Sequence, residues 1–182
     1  MIQTMPEIVK LAVYDLTKYT KQECMMIPSW IIIGAVTFFI ALGSFLITPR
    51  DIKWFARLSR PRWLVFEPLI PLIWTVAFIG GAASAYVVWE KNPGSLITWL
   101  LMALYLLVEI ITVAYIPIML RFRSLKAGEV LGLMGLILAV VLAICVLPIS
   151  LMAVLLLLPY LVWTPIGTYT TDELKELNPQ DA

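Results

Sequence analysis

The chain of 182 residues contains no histidine and only two cysteines, and only 14% of its residues are charged. Without imidazole, it offers no bis-histidine haem site, no imidazole zinc site, no Ser-His-Asp triad and no histidine proton relay. Cys24 and Cys145 form no C-x-x-C pair, so neither a disulfide framework nor a metal site is predicted. Walker and G-x-G-x-x-G motifs are also missing. The sequence therefore predicts no catalytic residue, no metal ligand and no required cofactor.

Apolar residues dominate the rest of the composition. The chain is 62% hydrophobic with a mean hydropathy of +0.95, which is too apolar for a soluble globule of this size. A spanning helix needs about 20 predominantly apolar residues, and stretches of this kind occupy five ranges: 27–48, 66–89, 97–120, 128–147 and 150–170. None alternates like a barrel strand. The predicted fold is an all-α membrane protein with a bundle of five transmembrane helices.

The residues before the first span form a segment of different character. Between Met5 and Tyr19, apolar side chains recur at helical spacing, and lysines occupy the opposite side. We predict an additional amphipathic helix at the membrane interface, which either docks a partner or covers the edge of the bundle. The domain prediction is this segment at 1–26, the five-helix transmembrane domain at 27–178 and a tail at 179–182.

The basic residues indicate an orientation, because cytoplasmic loops of membrane proteins are enriched in lysine and arginine. If the five spans alternate, the side of the carboxyl terminus carries Arg50, Lys53, Arg57, Arg60, Arg62, Arg121, Arg123, Lys126 and Lys175. The other side carries Lys10, Lys18, Lys21 and Lys91. The carboxyl terminus is therefore predicted to be cytoplasmic. A net charge of +1 argues against a nucleic-acid partner.

Two tryptophans and one acid stand at unusual depths. Trp74 and Trp163 lie inside spans, where an indole either packs between helices or contacts a flat ligand. Glu109 falls near the middle of the third span, where an ionised carboxylate costs roughly 2.5 kcal/mol or more. No intramembrane lysine or arginine is available as a counter-ion, which favours a protonated acid. Such an acid either takes part in ligand or proton binding or forms a hydrogen bond between helices that serves packing. The candidate partners are Tyr105, Thr112, Thr168 and Tyr169.

Small residues from Gly80 to Ser84 predict that the second span packs closely against a neighbour, either within the chain or across a homodimer.

Several motifs resemble the translocator protein or tryptophan-rich sensory protein family (TspO/MBR). The segment Trp54-Phe55-Ala-Arg-Leu58-Ser-Arg60-Pro61-Arg-Trp63 carries the pattern W-[YF]-x-x-L-x-[KR]-P-x-W. Similar positions follow at Pro71, Trp74 and Thr75, at Thr112, Tyr115 and Pro117, and at Pro159, Tyr160, Trp163, Gly167, Leu177 and Asn178. The chain departs from the family pattern at Val65, Phe66, Pro68, Phe78, Val108, Thr112, Thr170 and Thr171, so its pocket is expected to be remodelled and sterol binding is not inferred.

The resemblance implies a cavity that opens toward the loop between the first two helices and binds flat hydrophobic molecules such as protoporphyrin IX. The ligand-binding residues would be Trp63, Trp74, Glu109, Thr112, Tyr115, Tyr160, Trp163 and Gly167. At the mouth, Arg57, Arg60 and Arg62 would receive propionate carboxylates. Without histidine, a free-base porphyrin fits better than haem.

Three functions stay open from the sequence. The first is a sensor or carrier for a tetrapyrrole or a similar ligand. The second is a structural or assembly subunit whose pocket has closed and whose amino-terminal helix docks a larger membrane complex; a homodimer is also open as a partner arrangement. The third is a light-dependent enzyme that degrades porphyrin.

Overall fold

The structure, a computed structural model, describes residues 27–181, so the amphipathic helix predicted at 1–26 lies outside the described residues. Six helices follow in chain order: α1 (Ser29–Ala41), α2 (Pro49–Phe55), α3 (Ile70–Lys91), α4 (Leu96–Phe122), α5 (Leu125–Val146) and α6 (Leu151–Leu177). Short 3-10 turns follow α1 at Leu42–Phe45, precede α3 at Glu67–Leu69 and follow α6 at Pro179–Asp181. The part of the chain that the structure describes contains no strand.

The lengths of these helices confirm the membrane bundle. The four helices α3 to α6 are long and apolar enough to cross a bilayer, with mean hydropathies from 1.7 to 2.7. The 13 residues of α1 and the 4 residues of its 3-10 turn together cover about 28 Å. Because the hydrocarbon core is about 30 Å thick, this unit reaches most of the way across it, and taken together with α2 it gives a fifth candidate span. The first helical unit ends at Phe45 and not at the predicted residue 48, because Thr48 caps the start of α2.

Serine residues define where the long helices begin. The hydroxyls of Ser95, Ser124 and Ser150 accept backbone N–H groups three residues further on, at the starts of α4, α5 and α6. Such caps satisfy donors that have no partner inside the helix. Arg123, in the left-handed region at φ 50°, ends α4 one residue before Ser124. The connection is therefore a tight reversal that places α4 and α5 side by side.

Close packing centres on α6, which contacts α3 on one side and α5 on the other. The Ser84 hydroxyl of α3 donates to the Ala153 carbonyl of α6 over 2.7 Å. A Cβ placed on Gly80 would lie 2.4 Å from the Leu156 carbonyl oxygen. Of the small residues predicted to bring the second span close to a neighbour, Gly80 and Ser84 therefore do so within the chain, against α6, whereas a Cβ at Gly81 would meet no atom within 4 Å. Helix α1 packs at the edge, against α3 and α4.

The two ends of the bundle differ. At one end, the Ser29 hydroxyl at the start of α1 donates to Glu90 near the end of α3 over 2.5 Å. The other end, which we call the loop face, consists of residues 46–69, residues 123–124 and residues 178–181. The connection from α1 to α3 is the longest of the described connections. Leu58 from this connection is buried with Met119, Leu120, Leu125 and Leu174 in a small apolar cluster at the loop face.

Candidate functional site

Four helices enclose a cavity in the half of the bundle nearer the loop face. Its walls are Trp74, Thr112, Tyr115, Leu131, Gly132, Gly135, Tyr160, Thr164, Gly167 and Thr168. Five of the eight predicted ligand-binding residues are in this set: Trp74, Thr112, Tyr115, Tyr160 and Gly167. The space open to the centres of water molecules is about 30 Å³. The structure thus brings most of the predicted site together around a narrow space.

The polar groups of the cavity wall bond to one another. Thr112 Oγ1 and the Tyr160 hydroxyl are 2.7 Å apart, and the Tyr115 hydroxyl contacts Thr171 Oγ1. The Thr164 hydroxyl donates to the Tyr160 carbonyl over 2.8 Å, and the Thr168 hydroxyl donates to the Thr164 carbonyl over 2.9 Å. Because these donors already have acceptors, the wall presents a largely apolar surface. Such a surface suits a hydrophobic ligand with few polar groups.

The three glycines of the wall play two roles. A Cβ at Gly132 would lie 2.6 Å from Thr168 Oγ1, and one at Gly135 would lie 3.0 Å from the Tyr160 hydroxyl. These two glycines allow α5 to approach α6. A Cβ at Gly167 would meet no atom within 4 Å. Gly167 therefore borders open space, as its predicted role beside a ligand requires.

Trp163 does not line the cavity but belongs to a row of contacting aromatic rings beside it. The Trp163 ring meets Phe66 edge-on at 5.9 Å, and Phe66 is 5.8 Å from Trp63. Trp63 in turn stacks on Tyr169 at 5.9 Å with an interplanar angle of 28°. Trp163 is 8% exposed, and its Nε1 has no hydrogen-bond partner among residues 27–181. A buried donor without an acceptor costs free energy that a ligand with an acceptor would recover.

Three side-chain contacts tie the α1–α3 connection to the end of α6, and we call them the loop latch. Trp54 Nε1 donates to Asp181 over 2.9 Å, and Trp63 Nε1 donates to Glu173. The Asn178 side chain accepts from the Ser59 N–H over 2.8 Å and donates to the Ser59 carbonyl over 3.0 Å. Asn178 of the Leu-Asn pair noted in the sequence therefore holds the loop over the end of the bundle.

The three arginines predicted at the mouth fall into two groups. Arg60 forms an ion pair with Glu67 over 2.5 Å and lies over the Phe55 ring. Arg57 and Arg62 are exposed and form no ion pair with another described residue. Arg57 and Arg62 are therefore available to a ligand carboxylate, whereas Arg60 already has an anionic partner.

Glu109 faces away from the cavity, contrary to the expectation that it converges there. It accepts a hydrogen bond of 2.6 Å from Thr37 of α1. The partners expected for it are engaged elsewhere: Tyr105 with Ser84, and Thr112 with Tyr160. The carboxyl thus joins α1 to α4 by a hydrogen bond at bilayer depth, where few other polar partners exist.

Thr37→Val is expected to loosen α1, because it removes the hydroxyl while keeping the shape of the side chain. A hydrogen bond to a carboxyl group contributes about 1 to 3 kcal/mol, so the midpoint of unfolding in mixed micelles should fall measurably. Glu109→Gln retains an acceptor for the Thr37 hydroxyl, so its unfolding midpoint should fall less. Thr75→Val is the control, since its hydroxyl bonds only to the Pro71 carbonyl of its own helix. Equal losses in Thr37→Val and Thr75→Val would contradict the role of this hydrogen bond.

Asn178→Ala is expected to free the α1–α3 connection by removing three hydrogen bonds: those to the Ser59 N–H and carbonyl and one to the Leu174 carbonyl. At about 1 kcal/mol each, their loss should make trypsin cleave after Arg57 and Arg62 several times faster. Asn92→Ala, in an exposed connection at the opposite end, is the control. Cleavage at the parent rate would show that Asn178 does not hold the loop.

The helices and the cavity define an α-helical integral membrane protein, in contact with the lipid bilayer, with a narrow, partly open cavity among its helices. Residues 30–176 match the TspO/MBR family. The chain belongs to the TspO/MBR family, and the resemblance drawn from the tryptophan motifs is confirmed. No curated protein matches the chain.

Proposed function

We propose that the protein is a membrane-embedded binding protein, acting as a sensor or carrier, for a tetrapyrrole such as protoporphyrin IX or a similar flat hydrophobic ligand. The observation that carries this proposal is the cavity whose walls include Trp74, Tyr115 and Tyr160, with Gly167 bordering open space. Aromatic faces suit offset stacking on a macrocycle. Membership of the TspO/MBR family supports the same class of ligand.

The size of the cavity requires that a porphyrin widens it. A space of about 30 Å³ for water centres accommodates only a few waters, whereas ligand pockets are roughly 300–1,000 Å³. The segment beside the cavity that is best placed to move is the α1–α3 connection, because its Phe66 covers Trp163 at the edge of the cavity face of α6. We infer that the ligand displaces Phe66 and accepts a hydrogen bond from Trp163 Nε1. The exposed Arg57 and Arg62 on the same connection then pair with its carboxylates.

A fluorescence titration tests this function. Protoporphyrin IX added to the purified protein in nanodiscs should quench tryptophan emission saturably, with one ligand per chain. The same titration into empty nanodiscs corrects for partition into lipid. Absorption spectra recorded in the dark and under illumination test the enzymatic alternative, since degradation would bleach the porphyrin only in the presence of protein and light. Quenching that never saturates would refute the proposal.

The narrowness of the cavity favours a second candidate, an assembly subunit whose pocket is closed. In that case, protoporphyrin IX produces no saturable quenching, and the protein elutes from mild detergent in a homodimer or a larger complex. The two candidates therefore give opposite results in the same titration.

We further propose that the loop face is cytoplasmic, because nine of the 13 basic residues lie on that side of the spans. Single cysteines at Asn92 and Gln180, in a chain with Cys24 and Cys145 replaced by serine, test the orientation. A membrane-impermeant maleimide applied to intact cells should label Asn92→Cys and leave Gln180→Cys unlabelled. The reverse pattern would overturn the orientation.

A further inference from the structure

The short helix α2 leaves the direction of the first span abruptly. Its axis is bent by 71° from the preceding helical unit, so when α1 crosses the bilayer, α2 lies nearly along the membrane surface. A capping box fixes its start: the Thr48 N–H and hydroxyl donate to the Asp51 carboxylate over 2.9 and 2.7 Å. Helix α2 also packs against α4. The bend is therefore a built feature, and it presents α2 beside the end of α4.

Positive charge collects where α2 meets the α4–α5 reversal. The cations are Arg50, Lys53, Arg121, Arg123 and Lys126, all exposed and none in an ion pair with another described residue. The nearby acid, Asp51, is buried, and its carboxylate accepts the hydrogen bonds of the helix cap from Thr48. The hydrogen bonds from Thr48 hold the pKa of Asp51 below its ordinary value, and the charges of Arg121 and Arg123 lower it further.

Four other acids of the loop face bond to residues outside this cluster. Glu129 and Asp172 both bond to Lys175, and Glu67 bonds to Arg60. Glu173 accepts hydrogen bonds from Trp63 and Tyr169. Asp51 and Asp181, which accepts a hydrogen bond from Trp54 of α2, are the acids beside the basic cluster, and its five cations outnumber them.

Large apolar side chains are exposed among these cations. Leu46 is 76% exposed, Ile52 on α2 is 59% exposed, and Phe122, between Arg121 and Arg123, is 72% exposed. Apolar side chains that enter the acyl boundary beside cations that reach the phosphates are typical of an interfacial anchor. A soluble phosphate would need the cations alone. The mixture of both side-chain types indicates a lipid partner.

We propose that α2 and the α4–α5 reversal form a binding surface for the headgroups of anionic lipids in the leaflet at the loop face. Ile52 and Phe122 enter the acyl boundary, while Arg50, Lys53 and Arg123 contact lipid phosphates. The surface is separate from the cavity, and it fixes the height of the α1–α3 connection relative to the bilayer.

Copurification from lipid–detergent micelles tests the surface. The full chain is purified from micelles that contain equal parts of phosphatidylcholine and phosphatidylglycerol, and the ratio of the two lipids retained per protein is measured. The parent should retain phosphatidylglycerol preferentially. Lys53→Gln should reduce the enrichment up to about fivefold, which is the effect of one cation near an anionic surface. Raising the ionic strength should reduce it as well.

Lys91→Gln is the matched control, because Lys91 is also an exposed lysine in the last turn of a helix but lies at the opposite end of the bundle. The double variant Arg121→Gln/Arg123→Gln should lose more enrichment than Lys53→Gln, and Ile52→Ser should lose some with every charge intact. If the double variant fails to fold, the surface variant Lys53→Gln decides the outcome. No enrichment in the parent, or an equal loss in Lys91→Gln, would overturn the proposal. Displacement of the lipid by inorganic phosphate at equal concentration would also overturn it.

Discussion

Gly80→Ala is expected to lower the free energy of unfolding by about 1 to 3 kcal/mol or more, the usual cost of overpacking a well-packed interior. The added methyl group would stand 2.4 Å from the Leu156 carbonyl oxygen. That oxygen belongs to the backbone of α6, so no side-chain rotation relieves the contact and the two helices must separate. Separation also stretches the 2.7 Å hydrogen bond from Ser84 to the Ala153 carbonyl. Alanine gains about 0.5–1 kcal/mol in helix propensity, which is the smaller effect.

Gly81→Ala is the matched control, because its methyl group would meet no atom within 4 Å. It carries the same gain in helix propensity, so its stability should equal or slightly exceed that of the parent. Equilibrium unfolding in mixed micelles measures both variants, and size-exclusion chromatography shows whether the oligomeric state changes. If Gly80→Ala and Gly81→Ala have the same free energy of unfolding, then α3 and α6 do not pack in close contact at Gly80.

Gly167→Phe is expected to raise the Kd for protoporphyrin IX by at least about tenfold, because its ring would occupy the open space that the ligand needs. The affinity is measured by quenching of tryptophan fluorescence in nanodiscs. The fold should survive, since a side chain at Gly167 begins in space that no other atom fills. Unfolding in mixed micelles checks this directly.

Gly34→Phe is the control for the cavity variant, because Gly34 is exposed on α1 and also has no atom within 4 Å of a Cβ position. It should bind protoporphyrin IX like the parent. If Gly167→Phe also binds like the parent, the cavity is not the ligand site.

Much of the fold was predictable from the sequence, because helix location in a membrane protein follows from apolar length alone. The ends of the spans were less predictable, since they depend on local caps. The predicted first span runs to residue 48, but Thr48 and Asp51 start a new helix there. The predicted last span ends at residue 170, whereas α6 continues to Leu177 through polar residues, of which Glu173 bonds to Trp63 of the loop.

The site was predicted only in part, because sequence motifs do not give the rotation of each helix. Tyr105, Val108 and Thr112 recur at intervals of three and four residues and share the inner face of α4. Glu109, one residue after Val108, is turned by about 100° toward α1. That periodicity was a usable signal, but nothing in the sequence showed that α1 lies on that side.

Trp163 differs from the cavity residues of its helix for the same reason. Around α6, it lies about 60° from Tyr160, with Gly167 between them. The tryptophan therefore stands at the edge of the cavity face and meets Phe66 instead. Phe66 and the partners of Asn178 could not be assigned from the sequence, because they lie in an irregular connection whose path only the fold determines.

The loop latch also bears on how the chain is made. Its three contacts join residues that are 127, 119 and 110 positions apart. While the protein is being synthesised, the first span and the connection after it emerge long before Glu173, Asn178 and Asp181 exist to bind them. Long-range closures of this kind form late in folding. A nascent chain therefore completes its loop face only after its last helix has been inserted, and a chain cut short at residue 172 would contain all five spans without their common cover.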